Sequence, residues 1–335
     1  MLKRLMYFGY YLKQLDKPKF KLFLQYAKKE SGRSTLSLLL DIFISSLRYN
    51  ISILEYFQFH FYQISSQEKA AWAGTGYMYE YQLKMNPKEG RSVLEDKLQF
   101  LAAYKDFVHH AYASLDDIKS NSVQLADLLE NQSGKIVFKH SHGQCGNGIE
   151  VLATLGFDQA KIIAQLEKGG NDFVEEFVSQ HAQLMKMSPA GLNTVRVVTQ
   201  ITGSNKVDII AARLRITVNS SVDNLAAGNI AAPIDIHTGL VCGKGVYSDI
   251  TKPAVQFHPI TKTEIPGFAI PFWGEITKMI TAAALLYPSN RSVGWDVAVT
   301  DKGPELIEGN HDWCKLLWQL PAQKGLKADL EKYLK

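Results

Sequence analysis

Apolar residues recur at helical spacing through the first part of the chain. Leu36, Leu39, Leu40, Phe43 and Leu47 form one stripe, and Ile53, Leu54, Phe57, Phe61 and Ile64 continue it. The spacing predicts an all-α section from residue 1 to about 86, ended by the turn chemistry of Asn86-Pro87-Lys88-Glu89-Gly90. Beyond it the texture changes. Short β-rich runs at 135–139, 149–152 and 172–178 alternate with helices, and two longer runs follow at 194–202 (TVRVVTQIT) and 207–216 (VDIIAARLRI). The stretch with Pro233, Pro253, Pro259 and Pro266 reads as turns. A helix is expected near Pro271, whose fixed φ suits a first helical position, with Ile276, Ile280, Ala283 and Leu286 or Tyr287 facing inward. VGWDVAVT and GPELIEGN complete the pattern as two strands joined at Asp301-Lys302-Gly303. The fold class expected is α+β, with mostly antiparallel sheets behind an all-α front.

Composition narrows this only a little. A chain of 335 residues, 46% hydrophobic and 21% charged, has ordinary globular make-up and room for one large or two moderate domains. Three cysteines without a CxxC support neither a disulfide framework nor a cysteine zinc site. The start shows no small-residue cleavage site, so a cytoplasmic location is expected. The most apolar stretch, Leu36 to Ile53, is broken by Asp41 and Arg48, and no transmembrane segment is expected. Charge adds more, because it is lopsided. Residues 1–33 carry nine Lys or Arg against Asp16 and Glu30, in a chain whose net charge is only +4. Two readings fit: a solvated helix face with its aromatics in a local core, or peripheral contact with the anionic inner face of a membrane through Tyr7, Phe8, Tyr10 and Tyr11. No nucleic-acid motif accompanies the charge, and no such partner is expected.

The chemistry concentrates in four places. Asp296 lies in one strand of the final hairpin, and Glu308 and Asn310 share a face of the other, two residues apart. Such hard oxygen donors on otherwise apolar strands suit Mg²⁺, which binds a few carboxylates together with substrate phosphates. Lys139 ends an apolar strand, and Gly143, Gly146 and Gly148 follow in a loop able to bring backbone N–H groups to an anion, although its spacing is not that of a P-loop. His140 and His142 alternate to one face, but nothing nearby completes a metal site. The run Glu175-Glu176-Phe177-Val178, leading to His181, offers carboxylates and a backbone edge able to read a purine. Arg196 in one strand, with Arg213 and Arg215 in the next, provides guanidinium forks suited to carboxylate or phosphate.

In order, the chain shows Asp96-Lys97, VFKH, a glycine loop, EEFV, NTVRVVT, AARLR, VDN, GWDVAVT and LIEGN. This series resembles the ATP-grasp superfamily, and more closely its sugar-transfer-associated branch, over roughly residues 50–320. The resemblance implies a helical section at 1–90 and an ATP-grasp domain at 91–325, divided into subdomains at 91–178 and 179–325 that clasp ATP. It implies Lys97 and Lys139 on the phosphates, the 143–148 loop over them and the 176–178 hinge on adenine. Asp296, Glu308 and Asn310 are then Mg²⁺ ligands, and Arg196 and Arg213 face the reacting phosphate. Asn193, Asp223 and Asn224 match the branch pattern without a derivable role. Gly294 stands where D-alanine ligases place an arginine, which points away from a D-alanine-like substrate. The implied reaction joins a carboxylate to an amine, with a sugar kinase or a non-catalytic ATP-binding scaffold as alternatives.

Overall fold

The computed structural model describes residues 2–123, 125–143 and 148–334. The helical front comprises α1 (Leu2–Lys13), α2 (Lys17–Ser31), α3 (Thr35–Tyr49), α4 (Ile53–Gln58), α5 (Ser66–Ala70) and α6 (Thr75–Met85). Local chemistry sets these boundaries. The side chains of Asp16, Ser34 and Ser52 accept hydrogen bonds from the backbone N–H groups of Lys19, Ser37 and Glu55 at the starts of α2, α3 and α4. Gly32 and Asn50 end α2 and α3 in the left-handed conformation.

Two short helices follow, α7 (Ser92–Glu95) and α8 (Lys97–Ala103), and the chain then enters a four-stranded antiparallel sheet ordered β1-β4-β2-β3. Its strands are β1 (Tyr112–Ser114), β2 (Lys135–Lys139), β3 (Glu150–Ala153) and β4 (Phe173–Glu176). Against it pack α9 (Leu115–Lys119), α10 (Ala126–Leu129) and α11 (Gln159–Gly169), through a core of Ile118, Leu128, Ile136, Phe138, Ile162, Leu166 and Val174.

After α12 (Ala182–Met187) comes a larger antiparallel sheet ordered β7-β6-β5-β8-β9: β5 (Val195–Ile201), β6 (Val207–Ile216), β7 (Ile230–Ile234), β8 (Ser292–Thr300) and β9 (Gly303–Asn310). One face is apolar. Val195, Val197, Leu214, Trp295, Val297 and Leu306 meet Ile276, Ile280, Ala283 and Ala284 of α13 (Trp273–Leu286). The opposite face is divided between packing and chemistry. At one end Val198 and Ala211 pack under Met78, Tyr81 and Met85 of α6, beside Trp313 and Trp318 near α14 (Lys315–Gln319). The other end carries the charged cluster described below. A last helix, α15 (Lys327–Glu331), places Leu330 in the same packing.

Several expectations shift. Leu286 and Tyr287 lie exposed at the end of α13, where Ala284 takes the inward position instead. Phe272, with φ 57°, precedes that helix, so Pro271 stands before its first turn. The expected turn region around Pro233 contains β7. Proline is tolerated there because β7 is the outer strand of the sheet, met on its outer side only by isolated bridges, and Pro233 still accepts from Cys242 N–H through its carbonyl. The helical front also lacks a core of its own. Phe23, Ile42, Tyr56, Phe57 and Trp72 pack with Leu225, Ala231, Val246, Ile250, Leu317 and Leu320 from the later part of the chain.

Candidate active site

The sheet register builds the site. Glu308 of β9 lies opposite Asp296 of β8, Asp296 opposite Arg196 of β5, and Arg196 opposite Arg213 of β6. Directly opposed residues share a face, so these four side chains form one row across the sheet. A bulge between Asp296 and Val297 interrupts the β8–β9 ladder beside the row. Asn310 stands opposite Gly294, on the face of Glu308.

The buried Asp296 carboxylate is gripped by two arginines. Arg196 donates through Nε and Nη2, the latter at 2.9 Å, and Arg215 Nη1 donates to Oδ2 at 2.6 Å. Burial opposes its ionisation, but the two guanidinium charges outweigh this and hold its pKa well below the usual carboxylate range. The other end of Arg215 donates to Asp223 Oδ1 at 2.6 Å, and Asp223 is anchored by the Thr194 backbone N–H and hydroxyl. Asp223 therefore has a role that the sequence did not reveal: it aims the guanidinium that fixes Asp296. Asn193 Nδ2 donates to Gln180 Oε1 at 2.8 Å, and its own Oδ1 accepts from Thr217 N–H at 2.8 Å, closing the loop before β5. Asn224 accepts from Ala226 N–H and starts a short turn.

Glu308 differs from its neighbour. No arginine pairs with it, and burial followed by the adjacent Asp296 charge raises its pKa. Asn310 Nδ2 donates to Glu308 Oε1 at 3.1 Å and lies 3.4 Å from the Gly294 carbonyl, so its own Oδ1 is left open. These residues fit a magnesium ion. A partly buried carboxyl beside a second carboxylate is short of positive charge, an amide oxygen lies beside it, and each carboxylate oxygen keeps lone pairs beyond those given to arginine. The described residues hold no cluster of three or more His, Cys, Asp or Glu able to bind a metal, so any ion here rests on two carboxylates and an amide.

The lysines come from other elements. Lys97 opens α8, where Asp96 caps the helix by accepting from Gln99 N–H, and its ammonium donates to the Gly143 carbonyl. Burial, with the charge of Lys139 close by, lowers its pKa, while Glu308 and Glu175 act in the opposite sense. The four groups thus lie within electrostatic reach of one another. Lys139, the last residue of β2, pairs with the buried Glu175 of β4. Glu175 also faces His110, whose Nδ1 lies 2.8 Å from Glu305 Oε2 in β9. The same Glu305 oxygen accepts from the backbone N–H groups of His109 and His110 at 3.0 Å. His110 therefore ties the small sheet to the large one. No sequence signal pointed to it, because its partners lie 65 and 195 residues away along the chain.

The remaining expected residues are spread more widely. Glu176 Oε2 accepts from Ala111 N–H at 3.3 Å, and Phe177 N–H donates to the Lys135 carbonyl at 3.2 Å. Val178 N–H, where the chain leaves the sheet, has no protein partner among the described residues. His181 caps α12 through Nδ1, with Nε2 at 3.7 Å from Asp301. Arg213 turns from the row to donate to the Trp318 carbonyl through Nε at 3.0 Å and through Nη2, and burial lowers its pKa to about 10. The structure thus brings Arg215, rather than Arg213, to the carboxylates. Gly143 and Gly148 flank the loop, Gly148 with φ 74°, while Gly146 and Cys145 lie outside the described residues. His140 is 3.2 Å from Asp172, which also accepts from Ser141. A side chain at 294 has no room, since its Cβ would lie 2.6 Å from that of Trp313.

Two unequal antiparallel sheets, with Lys139 at the end of a strand of the smaller one, Lys97 at the start of α8 and a row of carboxylates and arginines across the larger one, fit an ATP-grasp protein. Within that class, residues 77–335 match the family described as sugar-transfer associated ATP-grasp, and the chain belongs to it. No curated protein matches the sequence. Among solved structures it is similar to the ADP complex of purK, an N5-carboxyaminoimidazole ribonucleotide synthetase, at 10% identity over 66% of this chain and 45% of that one, with a TM-score of 0.40. The ATP-grasp ligase PsnB with its minimal precursor is 12% identical over 75% and 63%, at a TM-score of 0.41. D-alanine–D-alanine ligase from Bacillus anthracis is 13% identical over 73% and 69%, at 0.41. The chain spans less than two thirds of the length of the first two.

Proposed function

We propose that this protein is an ATP-dependent carboxylate–amine ligase acting through an acylphosphate, with a carboxyl- or amine-bearing sugar of a surface polysaccharide as one substrate, in the cytoplasm. The observation that carries this reading is the Asp296–Glu308 pair opposed across β8 and β9, with Asn310 on the same face and Glu308 within electrostatic reach of Lys97, in a chain of this family.

In this reading ATP lies between the sheets. Adenine meets the chain at 176–178, where the Val178 N–H is free to donate and Glu176 lies alongside. Lys97 and Lys139 reach the phosphates. A polyphosphate beside Lys97 would relieve the crowding of two ammonium groups, and Lys139, already aimed by Glu175, adds a second positive charge. Asp296, Glu308 and Asn310 would hold Mg²⁺, which when bound neutralises phosphate charge and orients the γ-phosphoryl group. Arg196 and Arg215 keep the Asp296 oxygens in place and add positive charge at the same end of the sheet. A substrate carboxylate oxygen attacks the γ-phosphorus and ADP leaves. An amine then attacks the acyl carbon, loses a proton and expels inorganic phosphate. The protein supplies no covalent nucleophile, only position and electrostatics.

The test is a screen of amino acids against sugar acids with ATP, Mg²⁺ and hydroxylamine. ADP together with a trapped hydroxamate is expected, and Glu308→Gln should lower turnover about a hundredfold or more. AMP as the nucleotide product overturns the reading. A stable phosphorylated sugar, with ADP release indifferent to amine, replaces it with a kinase.

A further inference from the structure

We propose that the outer faces of α1 and α3 form a docking surface for an anionic lipid bilayer. The grounds are a helix that is apolar on its outer side as well as its inner one. α3 buries Leu38 and Ile42 together with polar groups, yet most of its other large apolar residues point out. Ser45 and Ser46 are buried, and Asp41 is drawn inward by Arg33 at 2.8 Å, Lys69 at 3.0 Å and the Tyr56 hydroxyl at 2.8 Å. Leu36, Leu39, Leu40, Phe43 and Ile44 are exposed, Leu36 at 78% and Leu40 at 58%. Their spacing places them on one continuous face that carries no charge. A helix washed by water on that side is normally patterned the other way.

The surface extends across a second helix. Phe8 of α1 packs edge-on against Phe43 with ring centroids 5.1 Å apart, which sets α1 beside α3. On α1 the residues Leu2, Leu5, Met6 and Leu12 are exposed, Leu2 at 74%, whereas Tyr11 is buried and Tyr7 and Phe8 are partly covered. The exposed apolar residues are therefore mainly aliphatic side chains of both helices, with Phe43; of the aromatic set expected from the sequence Tyr10 is exposed and Tyr11 is buried. No helix among the described residues is long and apolar enough to cross a membrane, so the contact is one that lies on the bilayer.

Charge selects the occupant. Lys13, Lys17, Lys21, Lys28 and Lys29 are exposed, and none has an acidic partner within 4.0 Å among the described residues. A second copy docking here about a two-fold axis would bring like-charged helices together. An anionic leaflet offers both an apolar interior for the leucines and negative headgroups for the lysines. This proposal does not depend on the ligase reading, since lipid binding is measured without turnover.

The experiment is sedimentation of the full chain with vesicles of phosphatidylcholine alone or mixed with phosphatidylglycerol, at low and high salt. Co-sedimentation with the mixed vesicles is expected, with weaker binding in salt and little on phosphatidylcholine. Leu40→Glu with Phe43→Glu should lower the bound fraction about tenfold or more, and Lys28→Glu with Lys29→Glu should weaken binding while leaving the apolar face intact. Circular dichroism and ATP binding check that each variant is folded. Absence of the wild-type chain from both pellets overturns the proposal. So does a lipid-independent dimer, seen by analytical ultracentrifugation, that Leu40→Glu with Phe43→Glu dissociates.

Discussion

His110 is a histidine whose charge the fold controls. Burial opposes its protonation, but the Glu175 and Glu305 carboxylates outweigh burial and raise its pKa to about 9. A pKa raised on folding stabilises the folded state fully below the ordinary histidine value near 6.5, and that contribution disappears as pH rises through about 9. The shift corresponds to roughly 3 kcal/mol. Stability by denaturant titration should therefore fall between pH 6.5 and 9 in the wild type, and His110→Gln should flatten that slope while lowering stability at pH 6. An unchanged slope in the variant would locate the titration elsewhere. Glu308 and Asp296 illustrate the same point at adjacent positions. The carboxylate given two guanidinium partners is held ionised, and the one left without them is pushed toward its neutral form. Residue type alone does not distinguish the two.

At the scale of elements, strand pairing places the chemistry and close packing limits what can replace it. The β8–β9 hairpin and its turn were legible from alternation and the Asp301-Lys302-Gly303 signal, because both are local. β7 was not, since its Pro233 is tolerated only by an edge position that the sequence does not reveal. Gly294 is fixed by its neighbours: Trp313 fills the space above it, and Arg196 Cδ lies 3.2 Å from where a Cβ would sit. Gly294→Ala should cost about 1–3 kcal/mol through overpacking and should also loosen the Arg196 grip on Asp296, visible as a lower Tm together with weaker ATP binding. A variant as stable as the wild type would mean that Trp313 shifts freely.

The whole molecule closes on itself through its ends. Gln319 of α14 accepts from Ala73 N–H and donates to the Ala73 carbonyl, each at 2.9 Å, and Lys327 N–H donates to the Ala71 carbonyl at 2.9 Å. Lys315 also reaches the buried Glu55 at 3.3 Å. Removing residues 1–74 would expose Leu225, Ala231, Val246 and Leu317 to water, and the shortened chain is expected to aggregate. A soluble, ATP-binding monomer of 75–335 would show instead that the later part folds independently. By itself the sequence determined the helical front, the α+β texture, the main strands and the order of motifs that led to ATP-grasp. Each of these is written in neighbouring residues by period, cap and turn. Only the tertiary structure decided that Asp223 aims Arg215, that Arg213 turns to Trp318, that His110 joins the two sheets and that α3 faces Leu36, Leu39 and Leu40 outward. Those depend on which distant segments meet, and a charge or a stripe acquires its direction only when its partner is in place.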